Sequence, residues 1–244
     1  MLDLSLSTKY KVNSAETDMF GRLRLGAFVN LLIQSAIKSA DKLGFGWNEM
    51  SKQNLFWVLN RLTLQIEQIP SWYDRITIET WPKDIHKILY LRDYIIRDGD
   101  ENIIARATTA WLALDSVSRR PKHVSTDSIG HFTLLKDKHS IKELPEKLLP
   151  VTPNDIRQIQ STYFDIDLNK HVTSTRYIDW MMDSFPQDFH ENAYPRLLSV
   201  NYMKETRLTD TISLRKEQTA GNEFRFEGNN DSLNTIAFRG KIVF

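Results

Sequence analysis

The stretch FDIDLNKHVTSTRYIDWMMDSFP, residues 164 to 186, organises the chain. It delivers Asp167, Asn169 and His171 at alternate positions, just ahead of a helical run. If this segment is extended, the three polar groups share one side and Leu168 takes the other. Thr173 or Ser174 is then a fitting N-cap. The spacing predicts a helix over Thr175 to Phe185, with Tyr177, Ile178, Met181, Met182 and Phe185 on one face and Pro186 at its end. A helix N-terminus carries free N–H groups and a partial positive charge. A carbonyl oxygen placed there has its developing negative charge stabilised under nucleophilic attack. His171 is placed to orient or polarise the same group, and Asn169 to hold the imidazole or a water. A carboxylate, Asp167 or Glu205, is the candidate to take a proton from water.

Outward from this stretch, the same order of elements occurs earlier in the chain. Residues 5 to 14 alternate as a strand, and a helix follows from about Leu25 to Leu43. Its apolar face is Val29, Leu32, Ile33, Ala36, Ile37 and Ala40, and Gly44 is its C-terminal stop. A helix this apolar needs a broad partner, most simply a sheet. Arg61 to Ile66 and Arg75 to Trp81 alternate as strands. Residues 88 to 97 and 103 to 114 flank Asp98-Gly99-Asp100 as a long hairpin. Residues 116 to 153 break the rhythm with Pro121, Pro145, Pro150 and Pro153, and a short helix is expected around Ile141 to Leu149. Strands are then expected at Asp155 to Thr162, Leu197 to Met203, Thr211 to Glu217, Phe224 to Glu227 and Thr235 to Phe244.

This order reads as an internal duplication. With Asp18 set on Asp167, Phe28-Val29-Asn30-Leu31-Leu32 falls on Tyr177-Ile178-Asp179-Trp180-Met181 without a gap. Further on, Asp74 to Ile78 falls on Asp210 to Leu214, and Ile104-Ala105 on Ile236-Ala237. The copies differ where the chemistry lies. Asn169 and His171 stand against Phe20 and Arg22, and Glu205 stands against Ile69. One catalytic half and one half kept for packing or substrate binding is the expectation.

Composition bounds the rest. The chain has 244 residues, 41% hydrophobic and 26% charged, with a formal net charge of +1. That supports a real core and gives no global field for nucleic acid or membrane. The absence of cysteine excludes disulfides, a thiol nucleophile and thiolate metal sites. The opening MLDLSLSTKYKVNS lacks the apolar run of a signal peptide, and no segment approaches the roughly 18 apolar residues of a membrane span. A cytoplasmic protein is expected. There is no GxSxG, GxGxxG or P-loop string, and the histidines lack HxxxH spacing. His86, His123, His131, His139 and His190 read as surface or loop residues.

The string Asp167-Leu168-Asn169-Lys170-His171-Val172, followed by Tyr177-Ile178-Asp179-Trp180, resembles the active-site segment of acyl-ACP thioesterases. Tyr202-Met203-Lys204-Glu205 resembles that family's second catalytic segment. Trp57-Val58 with Arg61, Pro70-Ser71-Trp72-Tyr73-Asp74 and Thr80-Trp81 resemble its acyl-binding half. The resemblance implies an α+β fold of two tandem hotdog domains, each a long helix on an antiparallel β-sheet. Residues 1–138 form the acyl-pocket half, 139–153 a linker and 154–244 the catalytic half. It implies hydrolysis of acyl-acyl carrier protein to a free fatty acid, without metal or organic cofactor, by Asp167, Asn169, His171 and Glu205.

Two departures qualify it. Thr173 and Ser174 replace the paired asparagines common after His-Val, and Thr206 replaces the cysteine that plant relatives carry after the glutamate. Direct water attack follows, with Glu205 or Asp167 as base. The implied partner is acyl carrier protein, which is acidic; Arg119-Arg120-Pro121-Lys122, Lys204 and Arg207 are candidate contacts. A homodimer is compatible with this reading, and a bacterial source is expected because no transit peptide is seen. Alternatives are a hotdog acyl-CoA thioesterase and a non-catalytic acyl-binding protein.

Overall fold

A computed structural model describes residues 3–125, 129–130 and 132–244, so His131 lies outside the described residues. The chain divides into two compact units, Met1–Arg24 with Phe28–Pro145, and Leu25–Ala27 with Glu146–Phe244. Apart from Leu25–Ala27, the division falls between Pro145 and Glu146.

In the first unit, β1 (Leu6–Lys11) leads to α1 (Leu25–Lys42) and α2 (Trp47–Lys52). Strands β2 (Leu55–Ile66), β3 (Arg75–His86), β4 (Leu89–Arg97) and β5 (Ile103–Asp115) follow. They form an antiparallel sheet in the order β1-β3-β4-β5-β2. The second unit has β6 (Asp155–Gln160), α3 (Ser174–Met182), α4 (Gln187–Asn192), β7 (Leu197–Tyr202), β8 (Thr211–Ala220), β9 (Glu223–Asn230) and β10 (Thr235–Val243). Its sheet runs β6-β8-β9-β10-β7, the same order element for element. Lys11 opposes Arg75 in one sheet, and Gln160 opposes Thr211 in the other. Each unit is therefore a helix and an antiparallel sheet of one topology, as the duplication requires.

The repeat extends to a short turn between the first strand and the first helix of each copy. A 3-10 turn at Ser14–Glu16 is closed by a capping box between Asn13 and Glu16; its counterpart at Tyr163–Asp165 uses Thr162 and Asp165. In such a box the first side chain and the acidic side chain three residues on satisfy each other's backbone N–H. One alignment shifts. Glu67 and Gln68 donate to the Ile104 carbonyl, whereas Met203 and Lys204 donate to that of Ala237. Ile104 therefore matches Ala237 rather than Ile236: each is the residue passed over where its strand changes register against its neighbour.

Other expectations need correction. No helix forms over residues 141–149. Pro145 and Pro150 lack the N–H a helix needs, and side chains take the backbone groups instead. Lys83 Nζ donates to the Ile141 carbonyl, and Asn201 bonds both Glu146 O at 2.9 Å and Leu148 N at 2.8 Å. The face of α1 is also rotated from expectation: Ile37 is exposed, while Phe28, Ser35 and Ser39 are buried. The serines are buried because the sheet is polar there. Tyr10 Oη lies 2.9 Å from Ser35 Oγ, and Arg92 donates to Ser39 Oγ at 2.9 Å. Burial pushes the Arg92 guanidinium down to about 10, which leaves it charged at neutral pH. Past the end of α3, Pro186 caps α4, which carries His190 with its Nε2 3.1 Å from the Met182 carbonyl.

In the second unit α3 rests on β10. The Tyr177 ring lies 4.7 Å from that of Phe238. Phe238 in turn covers Gly228 of β9, where an added Cβ would sit 2.0 Å from a ring carbon. Gly228→Ala is therefore expected to cost about 1–3 kcal/mol by overpacking. Chemical denaturation of the purified variant checks this, and an unchanged midpoint would show that the ring moves freely aside.

Candidate active site

Residues 167 to 171 form a turn, not the extended segment the alternation predicted. Asp167 Oδ1 accepts from the backbone N–H of Asn169 at 2.8 Å and of His171 at 3.3 Å. Asp167 N donates to the His171 carbonyl at 2.8 Å, and a bridge between Ile166 and Val172 closes the loop. Lys170 takes a positive φ of 65° to complete it. Aspartate suits this position because its short carboxylate bonds its own backbone two residues on. Local bonding to backbone thus overrides the strand pattern.

The first unit builds the same turn from Asp18, with Gly21 at φ 75° where Lys170 stands. There Arg22 folds back onto Asp18 Oδ2 at 2.8 Å. In the second unit His171 turns instead to another loop. Its Nε2 lies 3.0 Å from Glu205 Oε2, with side-chain exposures of 15% and 42%. The two loops are joined beside this pair, because Val172 N donates to the Thr206 carbonyl at 2.8 Å. The first unit keeps the backbone bond, Leu23 N to Pro70 O at 2.8 Å, with Arg22 and Ile69 in the neighbouring positions.

The structure thus brings His171 and Glu205 into contact and makes Asp167 the keystone of the turn that presents the histidine. Asn169 contributes its backbone N–H to that turn, and its side chain is exposed. Thr173 occupies the N-cap position of α3, but its side chain makes no capping hydrogen bond, and Ser174 is the first helical residue. Thr206 is buried, and its hydroxyl has no hydrogen-bond partner among the described residues. It lies beside the Tyr177 phenol. Burial raises that phenol, contact with Thr206 pulls it part of the way back, and it settles at about 12. Burial pushes the nearby Tyr202 phenol higher still, and its hydroxyl donates to the Ser174 carbonyl at 3.2 Å. Both phenols stay neutral at ordinary pH.

Sequence reading missed Asp165 and Arg176. Asp165 is 3% exposed, and its Oδ2 accepts from Thr162 N at 2.6 Å and Thr162 Oγ1 at 2.8 Å. Its Oδ1 takes Arg176 Nε at 2.7 Å, and Arg176 Nη1 reaches Asp179 at 3.0 Å. The Thr162-x-x-Asp165 spacing was the available signal. Burial pushes the Asp165 carboxyl up, but the Thr162 and Arg176 bonds outweigh it and hold it below its ordinary value. A carboxyl depressed by folding contributes stability that is present above its unfolded pKa of about 3.9 and is lost as pH falls through the folded value. Asp165→Asn should therefore flatten the acid limb of a stability-versus-pH curve and lower stability at neutral pH. A limb as steep as the wild type's would contradict this.

The basic run Arg119-Arg120-Pro121-Lys122 belongs to the first unit, where it follows a turn over residues 116–118 and Pro121 bridges back to Leu114. Lys122 Nζ pairs with Asp115 at 2.6 Å, and the Arg119 guanidinium sits 4.9 Å from the Phe56 ring centre. Among the described residues no group of three or more His, Asp or Glu side chains is arranged to hold a metal ion, and no helix is long and apolar enough to cross a membrane.

A family model described as acyl-ACP thioesterase N-terminal domain matches residues 3–132, and one described as the C-terminal domain matches residues 150–241. The chain is 26% identical over 227 residues to oleoyl-acyl carrier protein thioesterase 1, chloroplastic, of Arabidopsis thaliana, covering 86% of this chain and 62% of the relative. A palmitoyl-acyl carrier protein thioesterase of Gossypium hirsutum is 25% identical, over 83% of this chain and 52% of the relative. The chain spans roughly half to two-thirds of the length of these relatives. The crystal structure of an acyl-ACP thioesterase from Bacteroides thetaiotaomicron matches with a TM-score of 0.90 and 25% identity, covering 98% of this chain and 97% of that one. That of a 12:0-ACP thioesterase from Umbellularia californica matches in fold at 0.84, with 20% identity, over 100% and 98%.

Proposed function

The chain belongs to the acyl-ACP thioesterase family, and from that premise we propose that it hydrolyses the thioester of acyl-acyl carrier protein to release a free fatty acid. The observation that carries this reading is the 3.0 Å contact between His171 and Glu205, built in the second unit and replaced by Arg22 and Ile69 in the first. With Nε2–H donated to Glu205, the Nδ1 of a neutral imidazole is left as an acceptor. The Nε2–H bond orients the Glu205 carboxylate, which takes the proton of the attacking water. Asp167 commits one oxygen to the turn that presents His171, and its other oxygen accepts no hydrogen bond among the described residues.

The first turn of α3 supplies N–H groups for the oxygen of the tetrahedral intermediate. Thr206 follows Glu205 and the chain has no cysteine, which excludes a thiol acyl-enzyme; in this reading the nucleophile is water. Asn169, exposed at the tip of the turn, contacts the thioester once substrate is bound. The first unit supplies the acyl pocket. The partner is the carrier protein with its acyl phosphopantetheine arm, and the exposed cations Lys204 and Arg207 flank Glu205 to meet its acidic surface.

A panel of acyl-ACPs and matched acyl-CoAs of several chain lengths tests the reading. Higher kcat/KM on acyl-ACP is expected at every length hydrolysed. Preference for acyl-CoA would assign the other carrier, and binding without turnover on either would make the protein an acyl-binding module.

A further inference from the structure

We propose that Arg176 and Asp165 are positioning residues for the reaction, a half-buried clamp that registers the Asp167–His171 turn to α3. The inference rests on the thioesterase reading for its effect on turnover, but its geometry stands on its own.

The turn is a small hairpin. One leg ends at Asp165 and Ile166, the other begins at Val172 and Thr173. Thr173 N donates to the Asp165 carbonyl at 2.9 Å, so the legs are joined at Asp165 itself. The Asp165 side chain closes the preceding 3-10 turn through Thr162 and faces α3 through Arg176 Nε at 2.7 Å. The same guanidinium is fixed from its own helix by Asp179 at 3.0 Å. One planar fork therefore ties the base of the turn to the helix whose N-terminus receives the thioester oxygen. Asp167 is two residues from Asp165, and His171 is two residues from Thr173. A shift at this base moves both catalytic side chains relative to the N–H groups of α3.

The other copy supports a catalytic reason for the clamp. Glu16 occupies the place of Asp165 and makes the same backbone bond, to Asn13 N at 3.0 Å. Ala27 stands where Arg176 does, and Glu16 meets no guanidinium among the described residues. The turn closes there all the same. The clamp is thus not needed to form the turn, and it occurs in the copy that carries His171 and Glu205. A guanidinium suits the task because its rigid fork addresses two carboxylates at once, which an ammonium does less well.

The test compares Arg176→Met, Arg176→Lys and Glu16→Gln in the full chain. Misplacing a reacting group by about 1 Å costs up to about 100-fold in rate. Arg176→Met is therefore expected to lower kcat on acyl-ACP by about 10- to 100-fold with KM changed by less than about twofold. Arg176→Lys should recover part of the loss, and Glu16→Gln should leave kcat unchanged. Amide hydrogen exchange adds a readout that needs no turnover: Arg176→Met should speed exchange at Asn169 and His171 while β8 and β9 keep their protection. Wild-type kcat together with unchanged exchange at His171 would overturn the proposal. So would a kcat loss matched by faster exchange throughout the unit, which marks a merely structural role. If the wild-type chain fails to hydrolyse acyl-ACP while the exchange result holds, the functional reading fails and the clamp stands.

Discussion

Replacing His171 by alanine is expected to lower kcat for acyl-ACP hydrolysis by about 10²- to 10⁴-fold, the range for losing positioned proton transfer, because Glu205 loses the imidazole that holds it. The imidazole lies 3.0 Å from Glu205 and is largely buried, so its removal leaves the carboxylate unoriented and opens the site to bulk water. Glu205→Gln should cost a similar factor, because an amide keeps the contact but cannot take a proton. The two effects should not add, since residues acting as one unit lose most of their effect with the first change. His171→Ala with Glu205→Gln is thus expected to fall near the weaker single variant. Stability should change little, because the pair joins two surface loops and does not fill the core. Stopped-flow or quenched turnover of the three variants checks this, and fully multiplicative losses would mean that the residues act separately.

The largest stability effect is expected far from the chemistry. Lys83 and Asp93 are both buried, form an ion pair at 3.2 Å and anchor residues Ser140 and Ile141 within the first unit. Ser140 N donates to Asp93 Oδ2 at 2.7 Å, and Lys83 donates to the Ile141 carbonyl. Breaking a buried pair from one side leaves an uncompensated charge and costs about 3–5 kcal/mol. Lys83→Met removes the cation that balances Asp93, whose Oδ1 already lacks a hydrogen-bond partner among the described residues. For a unit of this size the loss corresponds to a fall in melting temperature of about 6–20 °C. Asp93→Asn, which keeps an acceptor for Ser140, should cost less. Calorimetry separates these outcomes, and a Lys83→Met variant melting with the wild type would show that water reaches the pair.

The architecture was legible in the sequence because the duplication is legible. Once Asp18 is set on Asp167, the order of strands and the two helices follow from periodicity in both copies. The site was legible only as a set of residue types. Alternation placed Asp167, Asn169 and His171 on one side of a strand, yet the Asp167 carboxylate bends its own backbone into a turn. Period-two reasoning fails where a short polar side chain offers the backbone a better partner than a neighbouring strand. The same competition hid Ser35 and Ser39, which look like the solvent side of α1 until Tyr10 and Arg92 meet them. The pairing of His171 with Glu205 was not available from local sequence at all, since the bond that joins their loops, Val172 to Thr206, spans two distant segments.

The central claim is that this site delivers water to a thioester without an enzyme-bound acyl group. A single turnover of acyl-ACP in heavy-oxygen water, followed by repeated turnover and mass analysis of the protein, tests it most directly. The account predicts one labelled oxygen in the released fatty acid after the first turnover and none in Asp167 or Glu205 after many. Unlabelled fatty acid in the first turnover, with label then appearing in either carboxylate, would contradict it.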